Sequence, residues 1–422
     1  MNLSLFGKKF TGPSGILHLM DDLGKAMSGR QAMRMLGGGN PAHIPEIQKL
    51  FLDRMRALTE DPAAFARMIG NYDTPQGEER FVHSLARLLK REYGWQIGPE
   101  NIALTLGSQS SFFVLFNALA GRFADGSRRK ILLPLTPEYI GYADQGLDKD
   151  MFVSVRPRIE LLDDSVFKYH VDFDRLPDPS TLGAVCVSRP TNPTGNVLTD
   201  EEIRMLDAYA RSADIPLIVD GAYGMPFPNI VFTDANPFWN ENMVVCLSLS
   251  KLGLPSTRTG IVVARKEIID LVAAANAIMA LAPSSLGAGL ALDLLDNGDI
   301  LRISREIIQP FYEKKSRLAM TQLREELNGL PCRVHKSEGA IFLWLWCEGL
   351  QIPCGELYER LKGRGVLVVP GHYFFPGLTE DWPHRHECIR ITYSQPEAMV
   401  REGLSIIAEE VRKAYDRQTS GC

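Results

Sequence analysis

No internal repeat, no low-complexity tract and no lysine- or arginine-rich run interrupts these 422 residues, and 46 basic residues face 51 acidic ones for a net charge of −5. A chain without a basic stripe lacks the electrostatic footprint of a nucleic-acid or anionic-membrane binder, so neither partner is expected. The stretch from Met1 to Gly15 holds no apolar core of the kind a secretory leader carries, which argues against export. A charge-free segment, Leu271 to Leu292, approaches the length needed to cross a bilayer. It contains Asn276 and the breaker Pro283-Ser284-Ser285, and reads better as two buried helices joined by a loop. There is also no Cys-x-x-Cys pair and no Walker A sequence.

The cysteines are seven, an odd number: Cys186, Cys246, Cys332, Cys347, Cys354, Cys388 and Cys422. Cys186 and Cys246 sit in strand-like apolar runs, and the pattern predicts reduced thiols in a cytoplasmic protein. No metal is expected. His384-Arg385-His386 with Cys388 comes nearest to a ligand group, nothing elsewhere completes it, and exposed loop histidines are the simpler reading.

A content of 45% hydrophobic and 23% charged residues is that of an ordinary globular protein, and the length favours two or more domains. Through the middle of the chain short apolar runs alternate with amphipathic helical segments, the mark of an α/β architecture. Strands are expected at Asn101–Leu106, Lys130–Leu133, Ala184–Ser188, Leu217–Asp220, Met243–Leu247 and Gly260–Ala264. Most lack polar alternation, as strands buried on both faces do. Asp200–Ser212 has helical spacing behind the acidic start Thr199-Asp200-Glu201-Glu202. From Ile300 to Leu327 a long helix is expected to kink at Pro310 and to lead into a C-terminal domain. That domain would have strands in Cys332–Trp346, Val366–Val369 and Cys388–Tyr393 and a closing helix from Pro396 to about Tyr415. The first forty or so residues read as an arm.

Four local patterns carry chemistry. Gly107-Ser108-Gln109-Ser110-Ser111 follows a strand and opens an apolar helix, where backbone N–H groups and hydroxyls make an anion site suited to phosphate, although serine and glycine also serve as plain caps. Ser188 to Gly195 sets Asn192 between Pro190 and Pro193 in a tight loop at a strand's C-terminal end, where open α/β sheets bind ligands. Asp220 ends the next strand, with Tyr223 three residues on. A carboxylate there is costly unless it meets a cation, and a pyridinium nitrogen would serve. Ser248-Leu249-Ser250-Lys251 places a lysine directly after an apolar strand, where burial would depress its pKa toward nucleophilic use, with Arg258 following. Each pattern has a bland alternative, but all four in order at successive strand ends point to one site.

With Asn71-Tyr72 and Arg390 added, these residues resemble the fold-type I pyridoxal-phosphate (PLP) aminotransferases of class I/II along nearly the whole chain. Within that family Leu36-Gly37-Gly38-Gly39-Asn40-Pro41, Pro137 to Tyr142 and Pro370 to Gly377 look most similar to the valine–pyruvate subgroup. The resemblance implies a large α/β domain with a mainly parallel central sheet, plus a smaller α/β domain formed by the N-terminal arm and C-terminal region. The expected divisions are 1–45, 46–300 and 301–422. It implies Lys251 as the lysine that holds the cofactor as a Schiff base and then moves the proton between Cα and C4′, with Asp220 on the ring nitrogen. Asn192 and Tyr223 would bond the phenolic oxygen, and Tyr139 would stack on the ring. Ser108, Gln109, Ser248 and Arg258 would bind the phosphate, joined by Tyr72 from the neighbouring subunit of a homodimer. Arg390 would clamp the substrate carboxylate, with Gly39, Asn40 and Asn192 beside it. The partners so implied are small amino acids and 2-oxo acids, and the reaction a ping-pong transfer, through the pyridoxamine form of the cofactor, from valine to pyruvate. The side-chain pocket would draw on Ile16, Leu17, Asn40, Tyr139, Phe374 and Phe375. The same scaffold also supports aromatic or 2-aminoadipate transamination and C–S lysis. In ligand-sensing transcription regulators a similar domain follows a DNA-binding segment, for which the first forty residues leave no room. Gly37 to Ala42 matches G-x-G-x-x-[GA] literally, yet Pro41 and Pro45 interrupt the helix a dinucleotide fingerprint needs, and Asp61 falls in a helical stretch.

Overall fold

The continuous apolar strands of the middle region assemble as their composition requires, each covered on both faces. A computed structural model describes residues 1–12, 14–28 and 33–419; Cys422 lies outside them. The large sheet runs in the order Ile102–Thr105, Gly260–Val263, Met243–Ser248, Leu217–Asp220, Leu182–Ser188, Arg128–Leu133, with Gly121–Arg122 and Phe152–Ser154 both paired to the last. Its central strands are parallel, while Gly260–Val263 runs antiparallel to both neighbours. All six expected strands are present to within two residues at either end. The 271–292 segment is two helices, Lys266–Ala280 and Ser285–Asp296, and no helix among the described residues is long and apolar enough to cross a membrane.

The register puts the four sequence patterns on one edge. Ser188 pairs with Asp220, Asp220 with Cys246, Ser248 with Gly260 and Gly260 with Thr105. The loops that follow Ser188, Asp220, Ser248 and Thr105 therefore leave the sheet side by side, at the carboxyl ends of its parallel strands. Two glycines make the closest approach possible. A Cβ on Gly260 would lie 2.5 Å from the carbonyl carbon of Gly107, and Gly107 itself has φ +85° with the Arg258 guanidinium 2.3 Å from where its Cβ would be.

A second sheet orders Val369–Pro370, Cys388–Thr392, Phe342–Cys347, Cys332–His335, Val166–His170 and Arg158–Leu161. The last two strands were not foreseen. They form a hairpin that leaves the middle of the chain and pairs Val166 with Val334. The expected single strand Val366–Val369 is split. Val366–Leu367 pairs with Arg34–Met35 of the arm, whereas Val369–Pro370 joins the second sheet. The arm also contains the helices Leu5–Phe10 and Gly15–Ser28. Thr199 and Glu202 form the capping box of helix Asp200–Arg211. In the connecting helix a π-helical turn, Ser304–Ile308, separates Asp299–Ile303 from Gln309–Glu326, so the perturbation sits just ahead of Pro310, whose ring nitrogen has no proton to donate back along the helix.

Candidate active site

A cavity of about 400 Å³ opens over that edge of the large sheet, within the span of roughly 300–1,000 Å³ usual for small-molecule sites. Its lining brings together Gly39, Asn40, Ser108, Gln109, Tyr139, Asn192, Asp220, Tyr223, Ser248, Lys251, Arg258 and Arg390. Tyr72 is the one expected site residue that does not line it; its side chain is exposed on the surface.

Asp220 is buried, and burial raises its pKa. Its carboxylate accepts from the Tyr142 hydroxyl at 2.7 Å and from the Ala222 N–H at 3.0 Å, but no lysine or arginine among the described residues pairs with it. Lys251, half-buried in the turn after Ser248, donates to the Gly39 carbonyl at 2.5 Å and lies 5.2 Å from the centre of the Tyr223 ring. Burial first, and then the positive charges of Arg390 and Arg258, pull its pKa down to about 8.

The helix Ser108–Leu119 starts at Gly107 without a capping side chain, so its first N–H groups face the cavity beside the Arg258 guanidinium. Arg258 has no carboxylate partner among the described residues. Asp220 thus offers a buried carboxylate in want of a cation, the helix start and Arg258 offer a place for a dianion, and Lys251 offers a nucleophilic amine. PLP presents the matching groups: a ring nitrogen that takes a proton, a phosphate and an aldehyde.

Arg390, on the strand Cys388–Thr392 of the second sheet, is buried across the cavity. Its Nη1 donates to Asn192 Oδ1 at 2.8 Å and its Nη2 to the Gly37 carbonyl at 2.7 Å, while Nε has no partner. The guanidinium carbon lies 4.2 Å from the centre of the Phe342 ring and 5.1 Å from that of Phe374. No carboxylate among the described residues neutralises it, and burial lowers its pKa to about 10. The glycine run is therefore not a nucleotide loop. Residues 38–44 form no helix, and the Gly37 and Gly39 carbonyls hold the two cations.

Of the six side-chain pocket candidates, Ile16, Asn40 and Tyr139 line the cavity. Leu17 is exposed, Phe374 is buried beneath Arg390, and Phe375 packs against Trp344 and Trp382 instead. In their place Leu19, Met20 and Met35 supply apolar surface. Helical spacing explains the substitution: Ile16, Leu19 and Met20 share one face of Gly15–Ser28, from which Leu17 points away.

Two residues that the sequence reading missed sit behind the site. Tyr142 holds Asp220, and Glu138 is buried against Ser188, whose N–H donates to it at 2.8 Å. Burial, helped by the charge of Asp220, pushes Glu138 up to about 8. The reading of His384 as an exposed loop histidine is overturned. It is buried, bonded to the Tyr169 hydroxyl and stacked on Trp382, because the turn Pro383–His386 folds back over the second sheet.

A two-domain α/β fold with a half-buried amine, a buried acid and an arginine beside a helix start on one sheet edge, faced by a buried arginine without a carboxylate partner among the described residues, is the arrangement of a PLP-dependent aminotransferase. The chain belongs to the family Aminotransferase class I and II, whose model matches residues 40–407. It is 51% identical over 415 residues to the valine–pyruvate aminotransferase of Escherichia coli K12, an alignment covering 98% of this chain and 99% of that one. Among crystal structures it is similar to a protein of Psychrobacter arcticum 273-4, with a TM-score of 0.96, 47% identity and 99% of each chain covered. It is also similar to the valine–pyruvate aminotransferase of Salmonella typhimurium LT2, with a TM-score of 0.88, 49% identity, and 95% of this chain and 100% of that one covered.

Proposed function

We propose that this enzyme transfers the amino group of valine to pyruvate, giving 3-methyl-2-oxobutanoate and alanine. The observation that carries the reading is the cation inventory of the cavity. Lys251, Arg258 and Arg390 are the lysines and arginines lining it among the described residues. With Arg258 beside the helix start, Arg390 alone is left for a substrate carboxylate, opposite the apolar Ile16, Leu19, Met20 and Met35. A dicarboxylic substrate would bury an unpaired charge, a cost of several kcal/mol, whereas a missing methylene costs only about 1–3 kcal/mol. Such a site takes valine and alanine and rejects glutamate and aspartate. The likeness to the Escherichia coli enzyme supports valine and pyruvate as the particular pair.

Bound PLP supplies an electron sink conjugated to the substrate Cα. In this reading Arg390 grips the α-carboxylate with its planar fork, beside Gly39 and Asn40, and Asn192 braces the guanidinium. Lys251 Nζ, its pKa drawn down to about 8, would take the proton from Cα and return it at C4′. Asp220, steadied by Tyr142, keeps a proton on the ring nitrogen. Asn192 and Tyr223 bond the phenolic oxygen, and Tyr139 covers the ring face. Ser108, Gln109, Ser248 and Arg258 bind the phosphate. The enzyme acts as a homodimer, in which the partner subunit's Tyr72 completes the phosphate site. The exposure of Tyr72, together with the nearby Phe65 and Ile69, supports this. A cytoplasmic location fits the six free cysteines of the described residues.

The test is a set of initial rates with valine as donor against pyruvate and 2-oxoglutarate. Pyruvate is expected to be the better acceptor by two orders of magnitude or more. Faster reaction with 2-oxoglutarate would replace this reading with a broader glutamate-dependent transaminase. Release of ammonia and pyruvate from a cysteine conjugate at a comparable rate would replace it with a C–S lyase.

A further inference from the structure

Away from the cavity, three metal-ligating side chains converge from three separate segments of the small domain. Cys354 is the first residue of helix Cys354–Gly363, His372 lies in the turn Gly371–Phe374, and His386 ends the turn Pro383–His386. We propose that Cys354, His372 and His386 bind a late first-row divalent cation of the zinc class, with one open coordination position. Their ligand atoms all lie within 4.8 Å of one another. Cys354 Sγ is 3.3 Å from His372 Nδ1, and the two imidazole rings stack at 5.7 Å and 21°.

The spacing matches the chemistry. Two ligands on a tetrahedral zinc, with bonds of about 2.3 Å to sulfur and about 2.0–2.1 Å to nitrogen, stand about 3.5 Å apart. The sulfur–nitrogen pair already has that separation, and the His386 ring needs only a small rotation to close the triangle. One thiolate with two imidazoles suits zinc, cobalt or nickel and disfavours magnesium or calcium, which take oxygen ligands. On binding, the Cys354 thiol proton passes to solvent. Cys354 is buried while both histidines are half-buried, so the fourth position faces outward, where water fills it. A plain thiol–imidazole hydrogen bond explains Cys354 and His372, but it leaves His386 stacked alongside without a role.

An ion here would fasten together segments that border the active site. Tyr373, in the same turn as His372, packs against Gly15 and meets His18 of the arm at 3.4 Å. Phe374, one residue on, underlies Arg390. Occupancy would therefore stiffen the support of both the arm helix and the carboxylate-binding arginine without touching the reacting atoms.

The experiment uses untagged, chelator-treated holoenzyme. Titration with Co²⁺ is expected to give one equivalent per chain with the intense visible bands of a four-coordinate sulfur–nitrogen site, and Zn²⁺ should displace it and raise the melting temperature. His386→Gln and Cys354→Ser should each weaken Co²⁺ binding by more than about 100-fold, since even an outer-shell partner is worth 10–100-fold. His386→Gln, at a half-buried position, should melt like the metal-free wild type and no longer respond to Zn²⁺. Six-coordinate Co²⁺ spectra, or equal affinity in wild type and both variants, would overturn the proposal.

Discussion

Arg390→Met separates what this residue does for the fold from what it does for the substrate. In the folded chain the guanidinium is buried, and burial draws its pKa well below the ordinary arginine value, to about 10. At about 1.4 kcal/mol per pKa unit this is roughly 3 kcal/mol of unfavourable burial for the charge. Methionine removes that cost and keeps apolar volume against Phe342 and Phe374. It also strips the Asn192 Oδ1 and the Gly37 carbonyl of their donors, at about 1–3 kcal/mol each if they stay unpaired. The two effects nearly offset, so the melting temperature is expected to move by only a few degrees. Activity should behave otherwise. Losing one partner of a desolvated charge pair costs about 2–5 kcal/mol, which is on the order of 30- to several thousand-fold in kcat/KM for valine. Arg390→Lys should recover only part of the loss, because an ammonium cannot present the two parallel donors of the fork. Thermal melts and steady-state kinetics on the three proteins suffice. A variant with near-normal kcat/KM, or one that loses PLP while keeping its affinity for valine, would refute the assignment of Arg390 to the carboxylate.

Lys251→Ala should retain PLP without a covalent link and lose turnover. Borohydride reduction of the wild type followed by peptide mapping should mark Lys251, and a mark on any other lysine would refute its role. Asp220→Asn should leave the fold intact and slow proton transfer at Cα by orders of magnitude. Tyr142→Phe, which removes a single bond of 2.7 Å, should cost only about tenfold in kcat, the equivalent of about 1.4 kcal/mol; normal turnover in Asp220→Asn would give the ring nitrogen another partner. PLP uptake by the cofactor-free protein should depend on pH through Lys251. Only the neutral amine attacks the aldehyde, so the rate should rise about tenfold per pH unit below 8 and level off above it. Arg390→Met should move that midpoint upward by removing a repelling charge, and a rate flat from pH 6 to 9 would contradict the depressed pKa.

The parts of this molecule legible in its sequence are those fixed by local chemistry. An unbroken apolar run ending in Asp220, or one followed at once by Lys251, states both the strand and the placement of the polar group at its tip, because nothing else makes such a group tolerable. The hidden parts depend on pairings distant in sequence. Arg158–Leu161 and Val166–His170 carry too little pattern in nine residues to announce that they pair across to Val334, more than 160 residues away. Tyr142 entered the sequence reading only as the end of the Pro137–Tyr142 segment, and only the closure of the turn Ile140–Tyr142 over the strand ends carries its hydroxyl to Asp220. Leu19 and Met20 were passed over because the first forty residues were read as an arm with no helix assigned to it, which left out the helical face they share with Ile16. Likewise His384 and His386, two apart in sequence, part company only when the turn folds: one goes inward to Tyr169, the other outward to His372.

The glycine run of the arm has a mechanical consequence. Lys251 hangs from the large sheet and Arg390 from the second one, and each is tied to the same strip of backbone, at Gly39 and Gly37 respectively. Two residues of fully extended chain reach about 7 Å at most. While both bonds hold, that length limits how far the two anchored cations, and with them the sheets that carry them, can draw apart. The strip works as a short tether between the two sheets. For the two sheets to draw further apart, one of these two bonds must first break.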